Sequence, residues 1–174
     1  MIYFSLLFAC TQSKTDSADT NNSDDTSLTE DTAEQYPADP SPFTITISGA
    51  ESETLIFDKP SCSSPTGSPN MRMFWRNRSG SHVFVLLAEV LGDFDGVGTY
   101  TAPEQRVNIK LQEEAGGQGR YFASNDSSNS VITYDISDDN FISGEASVNA
   151  LYNGDLEVTL SPSSFPLWCD DIER

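Results

Sequence analysis

Phe43-Thr44-Ile45-Thr46-Ile47-Ser48 alternates a large apolar side chain with a small polar one at every step. Successive side chains of a strand point to opposite faces, so this stretch has one face for a core and one for water. A helix would scatter the same residues around its circumference. The period recurs along the chain. Val107, Ile109 and Leu111 alternate with Asn108, Lys110 and Gln112, and Ile132, Tyr134 and Ile136 with Thr133 and Asp135. Leu156, Val158 and Leu160 alternate with Asp155, Glu157 and Thr159. Each set predicts an antiparallel strand half exposed to solvent. Val83-Phe84-Val85-Leu86-Leu87-Ala88 is apolar throughout. It predicts a central strand covered on both faces, although pattern alone does not separate it from a short helix.

Glycine with Asn or Asp punctuates these runs, and Asn153-Gly154 between two of them is the strongest short hairpin signal. Nine to ten short strands at this spacing predict an all-β fold, an antiparallel β-sandwich of the Ig-like or jelly-roll-like kind. It would occupy residues 43–174, with longer loops at 62–69 and 114–119. That length suits a single domain with one core.

The preceding residues have another character. Residues 11–42 contain eight carboxylates against Lys14, and Leu28 and Tyr36 are their only large apolar side chains. Too little surface is available for burial to offset ordering, so a disordered acidic spacer is expected, averaging ~30 Å in reach. The net charge of the whole chain is −18. Such a surface repels phosphate backbones and argues against nucleic acid as a partner.

Residues 1–9 form an apolar run too short to span a bilayer, which takes ~20 residues, and end in a small residue, as signal peptides do. Leu7-Phe8-Ala9-Cys10 resembles the lipobox of bacterial lipoproteins, with an aliphatic residue at −3, a small one at −1 and cysteine at +1. The resemblance covers about ten residues. It implies a diacylglyceryl thioether on Cys10, cleavage before it, and acylation of the new amino group. Several acyl chains, at ~0.8 kcal/mol per buried methylene, would hold the protein on a membrane. Thr11 follows the cysteine rather than Asp, which by the same resemblance implies sorting to the outer membrane of the cell envelope.

Three cysteines are an odd number. With Cys10 lipidated, Cys62 and Cys169 remain as a pair outside the cytoplasm, either a disulfide or two buried thiols. Two cysteines and one histidine lack the ligand spacing of a zinc site.

Signals for chemistry are sparse. His82, beside Ser81, is the only histidine; a strand-end histidine is usually structural, and no nucleophile turn surrounds any serine. Glu89, Glu104 and Glu145 are acids in strand regions that a glycoside hydrolase would need in a close pair. Asp93 and Asp95, and Asp135, Asp138 and Asp139, concentrate oxygens of the kind calcium takes, yet neither loop follows the EF-hand pattern and Asp is an ordinary turn former. The most unusual stretch is Met71-Arg72-Met73-Phe74-Trp75-Arg76-Asn77-Arg78. As a strand it directs Arg72, Phe74, Arg76 and Arg78 to one face. That face would recognise an acidic glycan, a lipid headgroup or a peptide, or the arginines would pair with acids such as Asp155 and Glu157 on a neighbouring strand. The expectation is a non-enzymatic, lipid-anchored surface module that binds a protein or glycan without a cofactor. A hydrolase and a calcium-stabilised adhesion-type domain are the alternatives.

Overall fold

The computed structural model describes residues 36–64, 70–77, 82–92, 94–102, 107–114, 119–138 and 140–173. Cys10, Arg78, Ser81, Asp93, Glu104 and Asp139 lie outside the described residues, as do residues 11–35 of the spacer and most of the two longer loops.

The domain is all-β. Its strands are β1 (Phe43–Gly49), β2 (Glu53–Phe57), β3 (Ser61–Ser63), β4 (Met71–Arg76), β5 (Phe84–Val90), β6 (Gly98–Thr101) and β7 (Val107–Glu113). There follow β8 (Tyr121–Ala123), β9 (Val131–Ser137), β10 (Ile142–Ser147), β11 (Leu151–Asn153), β12 (Leu156–Ser161), β13 (Ser164–Cys169) and β14 (Ile172–Glu173). Among the described residues fourteen strands replace the nine or ten expected, because β3, β8, β11 and β14 have only two or three residues each. Runs that short contain too few side chains to display a period.

The strands form a sandwich of unequal sheets. Ten run in the order β14-β3-β4-β5-β7-β8-β11-β12-β1-β2, and four in the order β13-β10-β9-β6. The larger sheet curls on itself. β2 pairs with β1, the chain bends through Asp58-Lys59-Pro60, and β3 then pairs with β4. A bridge between Phe57 and Asn77 ties the end of β2 to the end of β4. Residues 53–63 thus serve both margins of the curl.

Most of the positions that alternation selected face the core: Ile45, Ile47, Val107, Ile109, Leu111, Ile132, Tyr134, Val158 and Leu160 are buried. Leu156, beside the β11–β12 turn, is instead 54% exposed, and Ile136, past the irregularity in the β9–β10 register, is only half-buried. The sheets meet where Trp75 of β4 stands edge-on to Phe165 of β13 and to Phe43 of β1, with centroids 5.6 and 6.0 Å apart. Truncating an aromatic at such a contact typically costs ~3–5 kcal/mol. A disulfide joins Cys62 of β3 to Cys169 of β13, so it links the two sheets. Beyond it β14 runs parallel to β3, Ile172 opposite Cys62.

Two local features follow from glycine. The β11–β12 hairpin closes through Gly154-Asp155, with Gly154 at φ 60°, the sign a II′ turn requires at its first loop residue. On β10 the register steps from Ser143 opposite Ile136 to Gly144 opposite Tyr134, leaving Asp135 as the extra residue of a bulge. A Cβ on Gly144 would stand 1.9 Å from the Thr133 carbonyl oxygen, so only glycine fits there.

The compact unit that holds the strands begins at Tyr36, seven residues before the boundary read at Phe43. The Tyr36 ring stacks on Phe141 at 4.2 Å and its hydroxyl donates to Asp138 Oδ2 at 2.6 Å. Trp168 Nε1 donates to the Pro37 carbonyl at 2.8 Å. The residues that read as the last part of the spacer are therefore docked against the four-stranded sheet.

Candidate functional site

β4 alternates as the sequence requires. Met71, Met73 and Trp75 are buried, while Arg72, Phe74 and Arg76 are exposed on the outer face of the ten-stranded sheet. The register of β3, β4, β5, β7 and β8 sets their neighbours on that face. One row reads Ser61, Phe74, Leu87, Lys110 and Ala123. The next reads Arg76, Val85, Gln112 and Tyr121, and the row on the other side Arg72, Glu89 and Asn108. At ~4.8 Å per strand the first row is ~19 Å long.

Glu89 is the structural centre of the cationic side of this face. Its Oε1 accepts from Lys110 Nζ at 2.8 Å and from Asn108 Nδ2 at 2.9 Å, and its Oε2 meets Arg72 Nε at 3.1 Å. These partners leave Glu89 only 3% exposed, although it points outward. A carboxylate hidden from water is tolerable when charged donors meet both of its oxygens. Arg76 makes a looser pair, Nη2 to Glu114 Oε1 at 2.8 Å, with side chains 66% and 40% exposed.

This corrects two expectations. The arginines do pair with acids, but with Glu89 and Glu114 rather than Asp155 and Glu157, because β5 flanks β4 on this side with β7 next beyond it, while β12 lies farther off, beyond β8 and β11. β5 is central, yet among the described residues no second layer covers its outer face; Val85 and Leu87 are half-buried by the side chains of β4 and β7.

Apolar exposure gathers here. Of the six large apolar side chains exposed in the described residues, Phe74, Val83 and Tyr121 belong to this face. Phe74 and Arg76 form the wall between two shallow depressions. One, of about 320 Å³, is floored by Val85 and Leu87 and flanked by Lys110, Gln112 and Glu114. The other, of about 230 Å³, lies toward Asp58, Lys59, Ser61 and Asn77. Lys110, Gln112, Val85 and Leu87 are site residues the sequence did not single out. The signal that was present is Glu89 itself, a single charge in an apolar strand, which implies cations beside it.

The other candidates are dispersed. His82 Nδ1 contacts Glu113 Oε1, and Arg120 Nε donates to Glu113 Oε2 at 2.9 Å. Arg120 also reaches Glu51 at 2.7 Å and lies over the Phe84 ring at 4.7 Å. Donation from the Arg120 side chain, then from its backbone N–H, holds the Glu113 carboxyl below its ordinary range, while Glu113 raises the guanidinium in turn. Glu113 is an inward position of β7, so this polar cluster caps one end of the curled sheet.

Glu145 is exposed on β10 opposite Thr133 and Pro166, and Glu89 has cations rather than a second carboxylate beside it, so no close acid pair forms from them. Asp95 is exposed, and its backbone N–H donates to the Tyr100 hydroxyl, which in turn donates to Gly96 O. Asp135 is exposed on its bulge, and Asp138 Oδ1 accepts from the backbone of Asn140 and Phe141 as a turn former does. Among the described residues no three His, Cys, Asp or Glu side chains come together as a metal site would need.

No protein-family model matches the chain, and no curated protein and no solved structure matches it.

Proposed function

We propose that this chain is an exported lipoprotein whose β-domain binds a ligand on the outer face of β4, β5 and β7, with Cys10 as the site of its lipid anchor. The observation that carries the reading is Phe74, exposed between two depressions and framed by Arg72, Arg76 and Lys110 in a chain of net charge −18. Three cations against Glu89 and Glu114, with an aromatic among them, leave this face a positive excess on so acidic a protein, which a solubilising surface does not require. The disulfide is in keeping with an oxidising compartment. Tyr36 packs at the four-stranded sheet, and the cationic face lies on the outside of the opposite sheet.

Two experiments test this. Metabolic palmitate labelling should mark the wild type and not Cys10→Ala; an unlabelled wild type removes the anchor. A photo-crosslinking residue in place of Phe74 in intact cells should give adducts that the same group at Thr133, on the far sheet, does not. Equal yields at both positions, or none at 74, remove the binding face.

One observation favours a second reading. His82 with Nδ1 on a buried glutamate is arranged as a general base would be. Loss of ester or glycan hydrolysis in His82→Ala would support it, and a wild type inert to such substrates would end it.

A further inference from the structure

Resting on that binding face, we infer that its ligand is a linear glycan bearing carboxylates, a uronate-containing chain laid across the strands along the row Phe74, Leu87, Lys110. Four features of the face lead there.

β4, β5 and β7 are each paired on both sides. Their backbone donors and acceptors are therefore consumed, and an extended peptide could not dock by strand addition, the mode that gives peptides most of their affinity on a sheet. Recognition falls to side chains alone. The depressions are shallow and lie on either side of Phe74 and Arg76, so they suit an elongated ligand draped over that wall rather than an enclosed small molecule.

Phe74 is 36% exposed on the wall between the two depressions. The face of a benzene ring is the negative end of its quadrupole, and the C–H bonds on one side of a pyranose ring present the matching weak positive surface. Half-buried Val85 and Leu87 continue the apolar floor on one side. Tyr121 and Gln112, opposite one another at the far end, add polar groups suited to hydroxyls.

The charges select the acid. The Arg76 fork matches a carboxylate in two-point geometry. Its present partner Glu114 is an exposed surface pair of a kind worth only ~0–1 kcal/mol, so an incoming carboxylate displaces it at little cost. Glu89 is different. Held by three donors and buried, it stays in place and keeps Arg72 and Lys110 oriented. Arg72 meets it through Nε, and among the described residues the two terminal nitrogens of that fork engage no other acid. At physiological ionic strength the more distant negative charge of the protein is screened beyond ~8 Å, and the local excess of Arg72, Arg76 and Lys110 over Glu89 and Glu114 decides.

The experiment measures binding of the full chain to galacturonate, glucuronate and mannuronate oligosaccharides, with their methyl esters, a neutral glucan and poly-glutamate as comparisons. The expected result is binding to at least one uronate series, weakened tenfold or more by esterification. Phe74→Ala and Arg76→Ala should each weaken it about tenfold, and Arg76→Lys, which keeps charge but loses the fork, by a similar factor. Both positions are on the outer face, and an unchanged melting temperature shows that the fold is retained. Equal affinity for the esters overturns the role of the carboxylate, and tighter binding to poly-glutamate overturns the glycan in favour of an acidic peptide. Failure to bind any uronate while position 74 still crosslinks in cells overturns the ligand class alone. Failure of both overturns the binding face with it.

Discussion

The cross-link between the sheets allows the sharpest test of how this fold is stabilised. Replacing both Cys62 and Cys169 by alanine removes a bond that closes a loop of 107 residues. On chain-entropy grounds that loop restrains the unfolded chain by about 4.8 kcal/mol at 25 °C. A domain of this kind has ~5–15 kcal/mol in all, so the double variant should lose a third or more of its stability. Both cysteines are buried and part of the core, so the small gap left by the two sulfurs adds to the loss. The assay is urea denaturation of Cys10→Ser and of the triple variant with Cys62→Ala and Cys169→Ala added, with Cys10 absent from both so that thiol exchange does not enter. If the effect lies in the unfolded chain, the variant's denatured state expands and its m-value rises while the midpoint falls. A loss below about 1 kcal/mol, or a large loss with no increase in m, would refute the reasoning. The latter would place the bond's contribution in the native packing around β3, β13 and β14 instead.

Other consequences are equally direct. The Tyr134 hydroxyl is buried with no hydrogen-bond partner among the described residues, and burial, with Tyr100 beside it, drives its pKa well above the ordinary value. Tyr134→Phe should therefore stabilise the domain by about 1 kcal/mol or more, read as a rise in melting temperature; a fall of that size would show that the hydroxyl is satisfied. Gly144→Ala places a methyl group on the Thr133 carbonyl and should cost about 3 kcal/mol, with Ser147→Ala on the same strand as the mild comparison in the same melt. Glu113 titrates below its usual 4.5, so its contribution is fully present above that value and is lost as pH falls through the lowered folded one. Urea midpoints taken from neutral to strongly acid conditions should fall less steeply in Glu113→Gln than in the wild type, and parallel curves would contradict the assignment.

Much of this molecule is legible in its residues. Alternation selected most inward positions of β1, β7, β9 and β12 because half-exposed strands record their two environments directly, and it failed at Leu156 beside a turn and at Ile136 past a bulge, where the two-residue period stops reporting the sheet. Setting Cys10 aside left Cys62 and Cys169 as a disulfide or two buried thiols, and they bond; the β4 stripe has the orientation its period dictates. Information held between strands was out of reach. Nothing local in Arg72 or Arg76 says that β5 and β7 lie on that side of β4, so the partners Glu89 and Glu114 could not be named, and Lys110 could not be assigned to the same face. Strands of two or three residues are defined by what pairs with them. Tyr36 misled for a related reason: in an acidic, threonine-rich context its ring has no apolar neighbour in sequence, and its place on Phe141 exists only once the β9–β10 turn has folded.

The handover of residues 53–63 from β1 to β4 also bears on how copies of this chain behave in company. Strands with unsatisfied flanks recruit one another, which is how native sheets come to aggregate. Here the flank of the large sheet is closed by Phe57 and Asn77 at one place and finished by the two-residue β14 at the other. In the small sheet one flanking strand contains Pro166, which has no N–H to offer, and the other is four residues long. An anchor of the kind proposed would gather molecules into a plane at high local density. Chains finished in this way would offer one another few free strand margins there.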